Sequence, residues 1–211
     1  MAGFQPSAEG NAAAELFDLV ITPPIERRRD AWRESVGERL RDLEEREHVT
    51  LDDLRSNDAF ITAMTRATQA AMRAHHEEKL EALRNAVFNS ARPHAPSDTL
   101  QQLFIQWVDE LTVDHLRFLL LFRDPGDWFR KYGKQPPQFA ITSSLSQLLQ
   151  AAYPDLGNNR TLCELVASDL EARKLFGGGG IHTMMTASGA WAKRTTPLGD
   201  QFVDFISAPR A

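Results

Sequence analysis

Apolar residues recur every three or four positions over most of this chain, which is the spacing of one buried face of an α-helix. One such run covers residues 11–20. A second starts at Thr22, which is suited to cap a helix because two prolines follow it in the first turn, and it extends to about Arg46. Residues 1–10 hold little to bury, so we expect a disordered start.

The longest periodic run covers 57–91 and would span on the order of 50 Å as one unbroken helix. Shorter helices are predicted from Asp98 and after Thr112, where each follows a polar capping residue. The segment Trp128–Pro137 contains two prolines and two lysines and is predicted to be a loop. These patterns predict an N-terminal helical bundle at residues 11–111.

The rest of the chain has the element order of a winged-helix domain. The predicted elements, in order, are a strand at 139–142, a helix capped by Ser143 or Ser144, a turn at 154–158, a second helix at 159–176, and a wing hairpin made of 181–185 and 190–195. The expected fold is therefore mainly α: the helical bundle followed, at residues 112–211, by a winged-helix-like domain with a small β-hairpin wing.

Composition narrows the class of protein. No apolar run approaches the about eighteen residues of a membrane span, and no secretory signal pattern is present. The single cysteine, Cys163, excludes an internal disulfide framework and fits a reducing cytoplasm. The net charge of −5 provides no general attraction for nucleic acid. We expect a cytoplasmic protein that does not enter a membrane.

Winged helices often bind DNA by placing the second helix of the helix-turn-helix in the major groove, with the wing on the backbone. Polar or basic side chains at the outward positions of that helix and on the wing are the candidate nucleic-acid contacts: Arg160, Thr161, Ser168, Arg173, Lys174, His182, Lys193 and Arg194. Thr161 and Ser168 would lie near base edges and the basic residues near phosphates. Glu164 and Glu171 on the same helix would repel phosphate.

No catalytic arrangement is recognisable. The segment Asp109–His115 contains three carboxylates and a histidine, but no nucleophile accompanies them, and helix capping explains them more simply. Gly177–Gly180 lacks the Lys-Ser/Thr that a phosphate-binding loop requires. The adjacent pair His75 and His76 lacks the i,i+4 spacing of metal ligands on a helix. We expect a non-enzymatic protein with no metal and no cofactor.

Three segments, KLEALRNAVFNSA at 79–91, DTLQQLF at 98–104 and LTVDHLRFL at 111–119, resemble the central portion of the abortive-infection alpha family. In that family a helix ending in small residues leads to an LxxLF helix and then to a helix of the L-T/S-x-x-x-L-x-x-L type. The chain departs from the family in its fuller winged-helix ending. The resemblance implies a bacterial cytoplasmic protein with a role in phage defence or its regulation, and it assigns no functional residue.

Two functions follow from these observations. The protein is either a DNA-binding transcription regulator or an interaction module of a multi-component system that uses its winged helix for docking a protein. A homodimer is expected in both cases, because Trp32, Phe60 and Met64 would form an apolar edge that a thin bundle leaves uncovered.

Overall fold

The computed structural model describes residues 15–16, 18–47, 49–139 and 142–208. Over these residues the chain is mainly α-helical, with a two-stranded antiparallel sheet. The disordered start predicted for residues 1–10 lies outside them, as do two residues of the strand predicted at 139–142. Within the described part, no helix combines the length and the apolar character that crossing a bilayer requires.

In chain order the elements are α1 (Thr22–Glu47), α2 (Leu51–Arg55), α3 (Asp58–Arg73), α4 (Glu77–Ser90), α5 (Asp98–Glu110), α6 (Val113–Arg123), α7 (Pro125–Lys131), β1 (Thr142–Ser143), α8 (Leu145–Ala152), α9 (Pro154–Gly157), α10 (Arg160–Ala172), β2 (Met185–Thr186), α11 (Ala187–Ala190) and α12 (Pro197–Ile206).

The run at 57–91, predicted as one helix, forms the two helices α3 and α4, which pack against each other. Ala74 and His76 have extended backbone angles, so helical hydrogen bonding stops between them. Glu77 and Glu78 then occupy the first turn of α4, where carboxylates stabilise the positive end of the helix dipole. The break allows the apolar faces of both halves to join one core.

That core is one continuous cluster of side chains from α1 to α12. Trp32 and Phe60 are buried in it, and Met64 packs against it. The indole N–H of Trp32 donates to the Thr68 hydroxyl at 3.0 Å. The prediction that these three apolar residues form an exposed edge is therefore wrong, because a single chain covers them.

Helix α12 packs against α4 and α6, although the sequence places it in the second unit. Two asparagines of α4 supply donors to its C-terminal carbonyl groups, which have no partner inside the helix. The side-chain amide of Asn89 donates to the carbonyls of Asp204, Phe205 and Ser207, and that of Asn85 donates to the carbonyl of Ile206 at 3.1 Å. The domain boundary near residue 112 stays a prediction.

Helix α6 packs against both α8 and α10, and the one-turn helix α9, at the predicted turn, contacts both of them as well. Ser144 begins α8 through a capping box with Gln147, and Asn159 caps α10 by accepting a hydrogen bond from the backbone N–H of Leu162 at 3.1 Å. The two helices predicted on either side of the turn are confirmed, although α10 ends at Ala172 rather than at residue 176.

The predicted wing hairpin between 181–185 and 190–195 is wrong. Strand β2 pairs instead with β1, in the register Thr142 to Thr186. The segment 187–190 forms the helical turn α11, because the Thr186 side chain accepts a hydrogen bond from the Gly189 backbone N–H. A second pairing joins 175–177 to 194–196, where the N–H of Gly177 donates to the carbonyl of Arg194 at 2.9 Å.

The loop predicted at 128–137 is helical over its first residues, because α7 extends to Lys131. Asp124 caps this helix through the Asp127 backbone N–H at 2.9 Å, and Pro125 occupies its first turn. Trp128 and Phe129 are buried on its inner face. Their burial is what makes this short polar-looking segment an element of the fold.

Candidate functional site

The candidate site is the outer surface of the segment formed by α8, α9 and α10. Gly157 makes the tight turn possible, because a Cβ at this position would lie 2.3 Å from the Gln150 Cα on α8. The thiol of Cys163 donates to the Leu156 carbonyl at 3.1 Å, which fixes α10 beneath the turn. These contacts orient the polar side of α10 towards solvent.

Four of the predicted contact residues are brought to one place on that side. Thr161 and Ser168 are exposed on α10, and Arg160 forms an ion pair with Glu164, Nε to Oε1 at 2.9 Å. His182, from the segment between α10 and β2, lies with its Nε2 3.6 Å from the same Glu164 oxygen. Glu164 is therefore the centre of this group of side chains, which we call the α10 face.

Two apolar side chains that are close in sequence to members of the α10 face are exposed. Leu165 of α10, next to Glu164, is 63% exposed, and Met184, two residues after His182, is 66% exposed. Neither residue was predicted to be functional. An apolar residue on the side of α10 that is otherwise polar was the available signal for Leu165.

Of the predicted phosphate contacts that follow α10, Arg173 is bound within the chain and, in the part of it that the structure describes, Lys174 is not. Arg173 forms ion pairs with Glu110 at 3.0 Å and with Asp169 at 3.3 Å, and so points towards α5 rather than to open solvent. Lys174 is exposed with a positive φ of 61°, and within the described residues its ammonium group has no carboxylate partner.

Lys193 and Arg194 serve the packing of the C-terminal segment. The ammonium group of Lys193 contacts Asp200 on α12 at 2.6 Å. Burial raises the pKa of Asp200, but hydrogen bonds from Lys193 and Thr195 outweigh it and lower that pKa overall. The guanidinium of Arg194 donates to the Gly189 carbonyl at 2.6 Å, and its Nε is buried with no hydrogen bond in the described part of the structure. The structure does not bring these two residues to the α10 face as free cations.

The α10 face is thus close to electrically neutral. Exposed ion pairs such as Arg160–Glu164 are worth only about 0–1 kcal/mol, so an approaching phosphate could displace one. The carboxylate would nevertheless remain beside the phosphate and repel it. The geometry accordingly gives no concentrated positive surface at this place.

His115 has a capping role. Its Nδ1 accepts a hydrogen bond from the backbone N–H of Thr112 at 3.2 Å, and its Nε2 lies 3.3 Å from Asp169 Oδ2. Burial lowers the pKa of His115, partly opposed by Asp169. Among the described residues no group of three or more His, Cys, Asp or Glu side chains is arranged to hold a metal ion.

A second feature was missed by the sequence analysis. Trp128, Tyr132 and Tyr153 line a cleft of about 490 Å³ together with Lys131 and Lys134, and we call this the aromatic cleft. The i,i+4 spacing of Trp128 and Tyr132 was a usable signal, but it lies in the segment predicted to be a loop. The approach of Tyr153 from the end of α8 depends on tertiary packing.

Comparisons with family models, with curated proteins and with solved structures give no match to this chain.

Proposed function

We propose that the protein is a non-enzymatic regulatory protein that acts by docking a protein partner on the α10 face. The observation that carries this proposal is the neutral charge of that face around the exposed side chain of Leu165. Protein interfaces are commonly an apolar centre with a polar rim, whereas DNA-binding surfaces are strongly positive.

The arrangement of charges supports a protein rather than a nucleic acid as the partner. Arg160 and His182 both approach the carboxylate of Glu164. Arg173 is paired with two carboxylates of the chain. A partner with apolar side chains at its centre and polar groups at its edge would bury Leu165 and Met184 without separating these charges from their counterions.

A role in phage defence or its regulation is part of the proposal, and its support is the resemblance to the abortive-infection alpha family in residues 79–119.

The order of helices α6, α8 and α10 with the β1–β2 pair is also that of winged-helix proteins, which is the support for a winged-helix assignment. The homodimer stays a prediction, and a monomer in light scattering at concentrations on the order of tens of micromolar would remove it.

The partner is tested by replacing Leu165. A photo-crosslinking amino acid at position 165 identifies the neighbouring protein in cells, and that protein is then purified and titrated against the full chain. We expect Leu165→Asp to weaken binding by about 100-fold, as for a central apolar contact, and Leu51→Asp, at another exposed leucine, to leave it unchanged. Equal binding by both variants would exclude the α10 face as the docking surface.

DNA binding is the rival outcome. Fluorescence anisotropy of a mixed-sequence duplex, titrated at low and at near-physiological salt, is expected to show no binding by the wild type. Salt-dependent binding that is lost in Arg160→Glu and Lys174→Glu would overturn the proposal in favour of a DNA-binding regulator. These two residues are suited to the test because both are exposed, so that reversing their charge leaves the core intact.

A further inference from the structure

The aromatic cleft opens between α4, α6 and α7 and reaches the end of α12. The Trp128 ring lies 4.8 Å from the Tyr132 ring and 5.0 Å from the Tyr153 ring, measured between centroids. Leu116 and Leu120 supply apolar surface beneath them. Its volume lies within the about 300–1,000 Å³ typical of small-molecule sites.

One buried donor in the cleft has no acceptor. Trp128 is 4% exposed, and its indole N–H makes no hydrogen bond within the described part of the chain. The indole N–H lies close enough to Tyr153 to lower the pKa of its hydroxyl against the larger effect of burial, but the two groups do not form a hydrogen bond of normal geometry. Because a buried N–H without a partner is unfavourable, this position is suited to an acceptor atom that enters from outside the protein.

The positive charges of the cleft are also unbalanced. In the region that the structure describes, Lys131 and Lys134 have no carboxylate within ion-pair distance. Lys134 donates one hydrogen bond, to the Ala152 carbonyl at 2.5 Å, which leaves two N–H groups of its ammonium. Two acidic residues line the cleft, but Glu78 is paired with Arg117 and Glu81 with Arg84.

A cationic ligand is disfavoured by the same residues. The Lys134 ammonium lies 5.6 Å from the ring centroids of both Trp128 and Tyr153, and the Lys131 ammonium lies 5.6 Å from that of Tyr132. The chain therefore already supplies a cation to each of these aromatic rings. A second cation would be repelled, whereas an anion would find donors at the edge of the rings.

We propose that the aromatic cleft binds a small planar anion, an aromatic ring that bears a carboxylate or phosphate group. The ring would pack against Tyr132 and Trp128, and the anionic group would accept hydrogen bonds from Lys131, Lys134 and the Trp128 N–H. Burial raises the pKa of Tyr153 to about 12, so its hydroxyl stays protonated and available as a donor. The site lies apart from Leu165 and Glu164, so this inference goes beyond the proposed docking function and does not depend on it.

Isothermal titration of the full chain with probes matched in ring and different in charge tests the proposal. Indole-3-acetate is compared with tryptamine, and adenosine 5′-monophosphate with adenosine. We expect at least one anionic probe to bind about tenfold or more tightly than its cationic or neutral counterpart, because charge-assisted hydrogen bonds are stronger than neutral ones. Binding of the monophosphate alone assigns a phosphate-bearing ligand, and binding of indole-3-acetate alone assigns an aromatic carboxylate.

Side-chain replacements locate the binding. The double variant Lys131→Gln/Lys134→Gln should lose about tenfold or more in affinity, while the matched control Lys174→Gln, an exposed lysine outside the cleft, should bind as the wild type does. Trp128→Phe keeps an aromatic ring and removes the N–H, and it should also bind more weakly. If Trp128→Phe does not fold, as judged by circular dichroism, the affinities of the double lysine variant and of its Lys174→Gln control still show whether the probe binds in the cleft.

Several results would overturn the proposal. These are no heat from either anionic probe at about 1 mM, equal affinity of the two members of each ring-matched pair, or equal affinity of the double lysine variant and the Lys174→Gln control. If inorganic phosphate binds as tightly as adenosine 5′-monophosphate, the aromatic side chains contribute nothing to affinity. That result would overturn the proposal that the ligand contains a planar ring.

Discussion

The side-chain amide of Asn89 donates a hydrogen bond of 2.8 Å to the backbone carbonyl of Phe205, joining positions 116 apart in the chain. The same amide also reaches the carbonyls of Asp204 and Ser207. Asn89 is buried and so is its bond to the Phe205 carbonyl, so water does not readily replace that bond if the amide is removed. Asn89 thus supplies most of the side-chain bonds that cap the end of α12, and Asn85 supplies one more.

We therefore expect Asn89→Ala to lower the free energy of unfolding by about 1–3 kcal/mol, since buried carbonyl groups would lose their donor. Urea denaturation followed by circular dichroism measures this change. Asn158→Ala is the control because Asn158 is exposed and bonded only to another exposed side chain, Gln150, so its effect should stay within about 0.5 kcal/mol. Equal losses in both variants would contradict the capping role of Asn89.

Gly157→Ala should destabilise the packing of α9 against α8. The added Cβ would lie 2.3 Å from the Gln150 Cα, and backbone atoms can relieve such a contact only if the two helices move apart. A loss of about 1–3 kcal/mol is expected in thermal unfolding. Gly37→Ala is the matched control, because its Cβ meets nothing within 4 Å in the middle of α1, and it should raise stability by about 0.4–1 kcal/mol.

His115 should make the folded state less stable in mild acid. Its pKa is lowered by burial and by Arg173, against the opposing effect of Asp169. The unfolded chain, whose histidine titrates near about 6.5, then binds more protons below that pH than the folded chain does. Stability contributed by neutral His115 is present above about pH 6.5 and decreases as the pH falls towards 5.

The variant His115→Gln isolates this effect, because glutamine at the third helical position also completes a capping box with Thr112. Its melting temperature should match that of the wild type near pH 7.5 and decrease less between pH 7 and 5. If the melting temperatures of the two proteins decrease equally between pH 7 and 5, His115 does not contribute to the pH dependence of stability.

Cys163 should be unreactive in the folded protein. The residue is buried, its thiol donates to the Leu156 carbonyl, and burial together with the Glu164 carboxylate raises its pKa. The thiolate that attacks disulfide reagents is therefore scarce. Reaction with 5,5′-dithiobis(2-nitrobenzoate) should follow the rate of unfolding in urea, and rapid labelling of native protein would be inconsistent with this packing.

Local sequence signals were sufficient for helices with a capping residue and a regular apolar face. Ser144 and Asn159 mark the starts of α8 and α10 because their side chains bond to N–H groups in the next turn. The break at His75 between α3 and α4 could be predicted from the sequence only in part. The two glutamates after it favour a helix start, but the choice between one helix and two depends on which core the faces meet.

Partners distant in sequence explain the remaining differences. The pairing of β2 with β1 and the pairing of Gly177 with Arg194 replace the predicted wing. Both join segments that are farther apart in the chain than the two neighbouring segments used in the prediction. Likewise, Arg173 is an outward basic residue by helical spacing, yet Glu110, which binds it, lies 63 positions away. Spacing along one helix cannot indicate that such a charge is already neutralised.

The hydrogen bonds from Asn85 and Asn89 to the end of α12 join parts of the chain that are synthesised at different times. Both amides lie on α4, but the carbonyls that bind them belong to residues 204–207, which leave the ribosome more than a hundred residues later. Until then the polar edge of α4 must remain hydrated, and the apolar surface that α12 covers remains open. Nascent chains that stop before Pro197 therefore cannot close their core, and they are expected to be substrates for chaperones and proteases rather than stable fragments.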